Sequence, residues 1–158
     1  MRVTVNVADL LAGIDATVEQ IRAGLEKGVT AAALQMEAAA KANLKGDARG
    51  KHLMSSIHTE VQAEGDSATA QIGVGGATGI DGDAGEMFGI YVHEGTGIYS
   101  RTGMGRKDVP WFYMDDQGEG HQTSGMQANP FMENAYNEVG PKAPEIVAKE
   151  ILKMGGGG

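Results

Sequence analysis

The sequence has no cysteine, so disulfides and thiolate chemistry are excluded. Aromatic residues make up only 5% of it, and alanine fills many of its apolar positions, so the core it builds is light. No stretch reaches the ~18 consecutive apolar residues that a membrane span needs. The opening residues, Met1-Arg2-Val3-Thr4-Val5-Asn6-Val7, lack the apolar centre of a signal peptide. The expectation is a protein that works in the cytoplasm, where it is made, and does not engage membranes. Positive charge is also short: 13 Lys and Arg against 21 Asp and Glu give a net charge of −8. Such a chain does not grip nucleic acid by counterion release, which needs clustered cations facing phosphate. It can stand beside DNA that has to slide past.

Glycine, by contrast, is plentiful. There are 25 among 158 residues, well above the usual ~7%. That predicts long loops that order with help from neighbouring subunits. A chain of this length can bury roughly 68–70% of its unfolded surface. The expected organisation is a single domain over 1–154 followed by a flexible glycine tail over 155–158.

Val3, Val5 and Val7 alternate with polar residues, as in a half-buried strand. Asp9 reads as a helix cap. From there Leu10, Ile14, Val18, Ile21, Leu25, Val29, Ala32, Met36 and Ala39 recur at helical spacing, which predicts a long amphipathic helix to about Leu44. Gly13, Gly24 and Gly28 weaken it, by roughly 1 kcal/mol each against Ala, with a break near Gly13. The apolar stripe, Ala-rich from Thr30 to Ala42, fits either a core-facing or a subunit-facing side. Leu53, Met54 and Ile57 begin a further ordered segment. His58 to Ala63 and Ala68 to Val74 alternate around Glu64-Gly65-Asp66, the pattern of a β-hairpin. Gly75 to Gly85 and Gly95 to Asp108 read as loops, with a short apolar element between them at Glu86 to Glu94. Trp111 to Met114 reads as a strand, and Asp115 to Ser124 as a polar turn. Asn129-Pro130 predicts a helix start with Asn as cap. Phe131, Met132, Ala135, Tyr136 and Val139 follow at helical spacing. Gly140-Pro141 interrupts, and Ile146, Val147, Ile151 and Leu152 continue to about Met154. The fold class is α+β: an N-terminal strand and long helix, a small antiparallel sheet with long Gly-rich loops, and a C-terminal helix.

No constellation of catalytic residues stands out. His93-Glu94 begins like a zinc-protease helix motif, but position 97 is Gly where a second His is needed. Asp81, Asp83 and Glu86 lie close in sequence yet supply too few ligands for a calcium loop. Together with His93 they define an alternative reading as a metal-dependent hydrolase. A small acidic, DNA-mimicking binding module is a third class. Gly73-Val74-Gly75-Gly76 has no Lys-Ser/Thr pair after it, as a phosphate loop would. The serines lack a nucleophile-elbow context. Two basic clusters, Lys41, Lys45, Arg49 and Lys51, then Arg101, Arg106 and Lys107, read either as solvated faces or as docking points for acidic loops of a neighbour. No cofactor is implied.

Three segments, taken in order, carry a resemblance. The first is Gly50-Lys51-His52-Leu53-Met54-Ser55-Ser56-Ile57. The second is Tyr91-Val92-His93-Glu94-Gly95-Thr96-Gly97. The third is Met126-Gln127-Ala128-Asn129-Pro130-Phe131-Met132-Glu133-Asn134-Ala135. With the preceding helix and the Trp111 to Gly125 stretch, they resemble the gene-product-ten-like morphogenesis family of long-tailed bacteriophages. Its members are head–tail joining or tail-completion proteins. The resemblance covers nearly the whole chain and rests on Leu53, Ser56, Ile57, Tyr91, Val92, Glu94, Gly95, Thr96, Gly97, Trp111, Pro130, Phe131 and Ala135. It implies a structural virion protein of the neck or tail end and no catalytic role. The partners it implies are copies of itself in a hexameric ring, with head-closure and tail proteins on either side, and DNA passing through without specific binding. A tail-terminator or head-closure ring is the alternative within that class. In physical terms, Phe131 is an anchor into the sheet, Gly95 and Gly97 suit positive φ, and Thr96 can bond the turn backbone.

Overall fold

The computed structural model describes residues 2–4, 17–47, 50–75, 82–114 and 117–155. Its fold is α+β, with a long N-terminal helix, small antiparallel sheets and a C-terminal helix. The first strand, β1 (Arg2–Thr4), covers only the start of the predicted one, and Val5 and Val7 lie outside the described residues.

Helix α1 (Val18–Asn43) begins at Thr17, whose backbone is extended. Gln20 N donates to Thr17 Oγ1 at 3.3 Å, and Thr17 N donates to Gln20 Oε1 at 2.9 Å, a reciprocal capping box. The helix expected from Asp9 therefore does not run unbroken. Asp9, Leu10, Gly13 and Ile14 fall outside the described residues. Leu25, Val29, Ala32, Met36 and Ala39 form the buried stripe, as their spacing predicts. Val18 departs from it and is 54% exposed.

After α2 (Gly50–Ser56), β2 (Ile57–Glu64) and β3 (Ser67–Val74) pair antiparallel from Ile57 opposite Val74 to Glu64 opposite Ser67. The turn between them is the predicted one, with Gly65 at φ +57°. The sheet order is β1–β3–β2. Ala68, Ala70 and Ile72 are buried, while His58, Glu60 and Gln62 stay exposed on the other side. Helix α1 lies against that buried face.

Helix α3 (Gly82–Glu94) is longer than the apolar element read from sequence. It takes in residues 82–85 of the predicted loop. Glycines there read as loop, yet the backbone is helical. Burial of Val92 and partial burial of Phe88 then supply a packed face.

A second, two-stranded sheet joins β4 (Trp111–Met114) to β5 (Gly120–Thr123). Here the polar turn expected over Asp115–Ser124 is corrected: its second half is a strand. Gly120-His121-Gln122-Thr123 has no apolar alternation to reveal it, and its strand character comes from its cross-strand partners.

The C-terminal part is α4 (Phe131–Val139), a 3-10 turn at Gly140–Lys142, and α5 (Ala143–Gly155). The interruption falls where Gly140-Pro141 predicts it. Phe131, Ala135 and Val139 form one buried stripe, and Ala143, Val147 and Ile151 another. Both lie against α1. The α1–α5 approach is closest at two glycines. A Cβ on Gly24 would lie 2.6 Å from Ile151 Cα, and one on Gly28 2.6 Å from Val147 Cα. The glycines that weaken α1 in isolation are what lets α5 reach it.

Candidate assembly surface

The residues that carry the resemblance divide into two sets. Leu53, Ser56, Ile57, Val92, Phe131 and Ala135 are all buried. Ser56 is satisfied locally, its hydroxyl donating to Leu53 O at 2.9 Å. These residues hold the fold together.

Of the remaining residues, Gly95, Thr96 and Gly97 lie in a seam. Helix α3 ends where Gly95 adopts φ +74°. The chain then runs beside residues 124–129. Asn129 N donates to Val92 O at 2.8 Å, Thr96 N to Met126 O at 2.9 Å, and Ile98 N to Ser124 O at 3.1 Å. Met126 N donates to Thr96 Oγ1 at 2.9 Å, so the threonine side chain bonds the opposing strand rather than its own turn. Gly97 has φ +59°, and Ser124 O sits where its Cβ would be.

Asn129 does not cap α4. Pro130 occupies the boundary and offers no side-chain cap. Asn129 Nδ2 instead donates to Asn43 O and to Asp47 Oδ2, both at 3.2 Å, and Asn43 Nδ2 donates to Phe131 O at 3.2 Å. The third segment is thereby fastened to the end of α1, because the carbonyls there have no helical partner. Sequence reasoning missed this role. The signal was an Asn at each of the two segment ends.

The β4–β5 hairpin projects apolar groups into solvent. Phe112 is 63% exposed and Met114 59%, and Met104 at its base is 87% exposed. Phe112 lies over Gly120, where no side chain would fit beside it. On the opposite face Tyr113 and His121 stack with ring centroids 5.3 Å apart. His121 is therefore a strand residue with an aromatic partner, not a solvated turn residue. Trp111 is half-buried and packs under Arg106, whose guanidinium lies 5.3 Å from its ring centroid. A two-stranded hairpin is marginally stable alone, and this one keeps apolar side chains exposed on both faces. Tyr91, Ile98 and Tyr99 extend the exposed apolar surface towards the seam.

The basic residues at this surface are held within the chain. Arg101 pairs with Glu133 at 2.7 Å, and its backbone N donates to Glu94 O at 2.9 Å. Arg106 grips Asp108 through two bonds of 2.8 and 2.7 Å, which holds the Asp108 carboxyl below its ordinary range. Lys41 pairs with Glu37 at 2.6 Å. Each of these three cations thus has an acidic partner within the chain, Lys41 on α1 and the two arginines beside the hairpin. The predicted loop Gly95–Asp108 is tied down at the seam and at Arg101.

Of the residues in the hydrolase reading, Asp81 lies outside the described residues, and Asp83 and Glu86 stand on the first two turns of α3. His93 Nδ1 donates to Glu94 Oε1 at 2.9 Å, and its ring meets Phe131 edge-on at 5.6 Å. Both line a cavity of about 400 Å³ with Val74, Ile90 and Met132. Among the described residues, no three His, Asp or Glu side chains converge to hold a metal. No helix among them is long and apolar enough to cross a membrane. No family model matches the sequence, and neither a curated protein nor a solved structure matches it.

Proposed function

We propose that this chain is a structural protein of a tailed bacteriophage, a ring subunit of the neck or tail end that joins head to tail, and not an enzyme. The observation that carries the reading is the uncovered aromatic hairpin. Among the described residues, Phe112, Tyr113 and Met114 are exposed on a sheet of only two strands. Exposed apolar surface of this kind marks a contact site. The ordered motif set of the sequence supplies the particular class. In this reading, copies of the chain close a hexameric ring by head-to-tail contacts. Head-closure and tail proteins flank it in the virion. DNA passes through a channel whose subunits each carry a net charge of −8 and do not retain it.

Removing the gene from a phage that carries it tests the assignment. The expected lysate contains filled heads and separate tails with few infectious particles, because joining components add after the parts they connect. Normal virions would refute the joining role, and empty heads would move the defect towards the portal.

A further inference from the structure

Strand β2 lies at the end of the sheet order, so among the described residues its outer side has no neighbouring strand. Among the described residues, no backbone group from another segment bonds that side. The strand pairs with β3 over its whole length without a bulge, and it contains neither proline nor lysine. Bulges, prolines and lysines are the usual means of blunting an edge. The direction of its free backbone groups follows from the ladder. Gly75 N donates to Ser56 O at 3.1 Å, which makes Ser56 and Gly75 a bonded pair. Bonded and non-bonded pairs alternate in an antiparallel ladder. His58, Glu60, Gln62 and Glu64 therefore turn their backbone groups to β3, and Ile57, Thr59, Val61 and Ala63 turn theirs outward.

We propose that β2 is a self-complementary edge, pairing antiparallel with β2 of a second copy about a two-fold axis at Val61. Charge selects both the occupant and the register. In this register His58 faces Glu64 of the second copy, and Glu60 faces Gln62. No two carboxylates stand opposite each other. Thr59 with Ala63, and Val61 with Val61, become the bonded pairs. The neighbouring two-fold registers fail. Centring on Glu60 sets two carboxylates face to face in a non-bonded pair, where Cα atoms are only about 4.5 Å apart. Centring on Gln62 puts Glu60 opposite Glu64 twice, and like charges directly opposite are destabilising. Centring on Thr59 lays the end of one β2 over the last turn of the other copy's α2. The pairing is isologous and closes on itself. It rests on the sheet alone and not on the ring reading.

Three measurements on the full chain test it. The wild-type mass should rise from monomer to dimer with concentration. In the same range the amides of Thr59, Val61 and Ala63 should gain protection from hydrogen exchange, while those of His58 and Gln62 are protected throughout. The chain has no cysteine, so single-cysteine variants report register cleanly. Val61→Cys should crosslink under oxidation, since Cα atoms of a bonded pair sit about 5.5 Å apart. Glu60→Cys and Gln62→Cys should not, because pairs more than ~7 Å apart cannot bridge. Ala63→Pro removes an outward N–H and leaves the β2–β3 ladder whole, so it should stay folded and lose the dimer. A monomer at every concentration overturns the proposal. So does a dimer or larger assembly that leaves the outward amides unprotected, one that crosslinks best at position 60 or 62, or one that survives Ala63→Pro. If Ala63→Pro does not fold, wild-type exchange and the cysteine series decide alone.

Discussion

Gly28→Ala sets two effects of opposite sign against each other. In an isolated helix the change stabilises by about 0.8–1.0 kcal/mol. Here the new Cβ would stand 2.6 Å from Val147 Cα and 3.1 Å from Val147 Cγ1. Carbon atoms rest at about 3.5–4.0 Å, so α5 has to withdraw by roughly an ångström. Val147 and Ile151 would withdraw with it, and both are fully buried. The obstacle is backbone, which cannot rotate out of the way as a flexible side chain can. Overpacking of this kind costs typically about 1–3 kcal/mol. The clash offsets or outweighs the propensity gain, and the net expected loss is up to about 2 kcal/mol. For a chain of this size that lowers the thermal midpoint by up to about 8 °C. Thermal unfolding followed by circular dichroism measures it. A midpoint raised by the substitution would refute the reasoning, because it would mean that propensity governs the position and that α5 does not press on it.

Three further outcomes follow from the packing. Phe131→Ala should destabilise the fold by about 3–5 kcal/mol, since the ring is 1% exposed and meets His93 edge-on; chemical denaturation would show it. For Glu37, burial opposes ionisation, but bonds from Lys41 and Thr59 outweigh it and hold the carboxyl below its ordinary value of 4.5. A carboxyl with a depressed folded pKa contributes stability that is present above its unfolded value and lost as pH falls through the folded one. The stability gap between wild type and Glu37→Gln should therefore narrow with acidification below pH 4.5, and a gap independent of pH would contradict the ion-pair account. His121→Ala should cost about 0.2–1 kcal/mol as a lost cross-strand pair, seen as faster exchange in β4 and β5 rather than as global unfolding.

The long-range skeleton was legible wherever a single period carried it. The α1 stripe from Leu25 to Ala39, the β2–β3 hairpin and the break at Gly140-Pro141 each show in sequence because burial and spacing coincide. Three features were hidden, each for a physical reason. Strand β5 is polar because its hairpin stands away from the core, so no alternation marks it. The start of α3 is rich in Gly and Asp, and local propensity there points to loop. Gly24 and Gly28 read as defects in α1 because their purpose lies on a helix more than a hundred residues later in the chain. At the seam, glycines 95 and 97 could be read as turn residues with positive φ, but their partner segment could not. Thr96 was expected to bond its own turn, and only the packed structure brings Met126 to it.

A consequence for mutagenesis is that the residues best marked in the sequence are the wrong ones for probing assembly. Leu53, Val92, Phe131 and Ala135 are buried, so changes there destabilise the subunit and confound any report on a contact. Phe112 offers the separation that those positions lack. It is 63% exposed, and its ring lies against Gly120. Exposed substitutions away from special features usually change stability by no more than about 0.5 kcal/mol, whereas an aromatic anchor lost from an interface costs about 2 kcal/mol or more. Phe112→Ser should therefore leave the thermal midpoint of the free subunit nearly unchanged while weakening its assembly at least about thirtyfold, the equivalent of 2 kcal/mol. The two quantities are read separately, by thermal unfolding of the purified chain and by incorporation of the variant into particles in a complementation assay. If incorporation is normal, the hairpin is not an assembly contact. If the midpoint falls in step with incorporation, the ring of Phe112 belongs to the fold of the subunit, and its exposure has been misjudged as a surface kept for a partner.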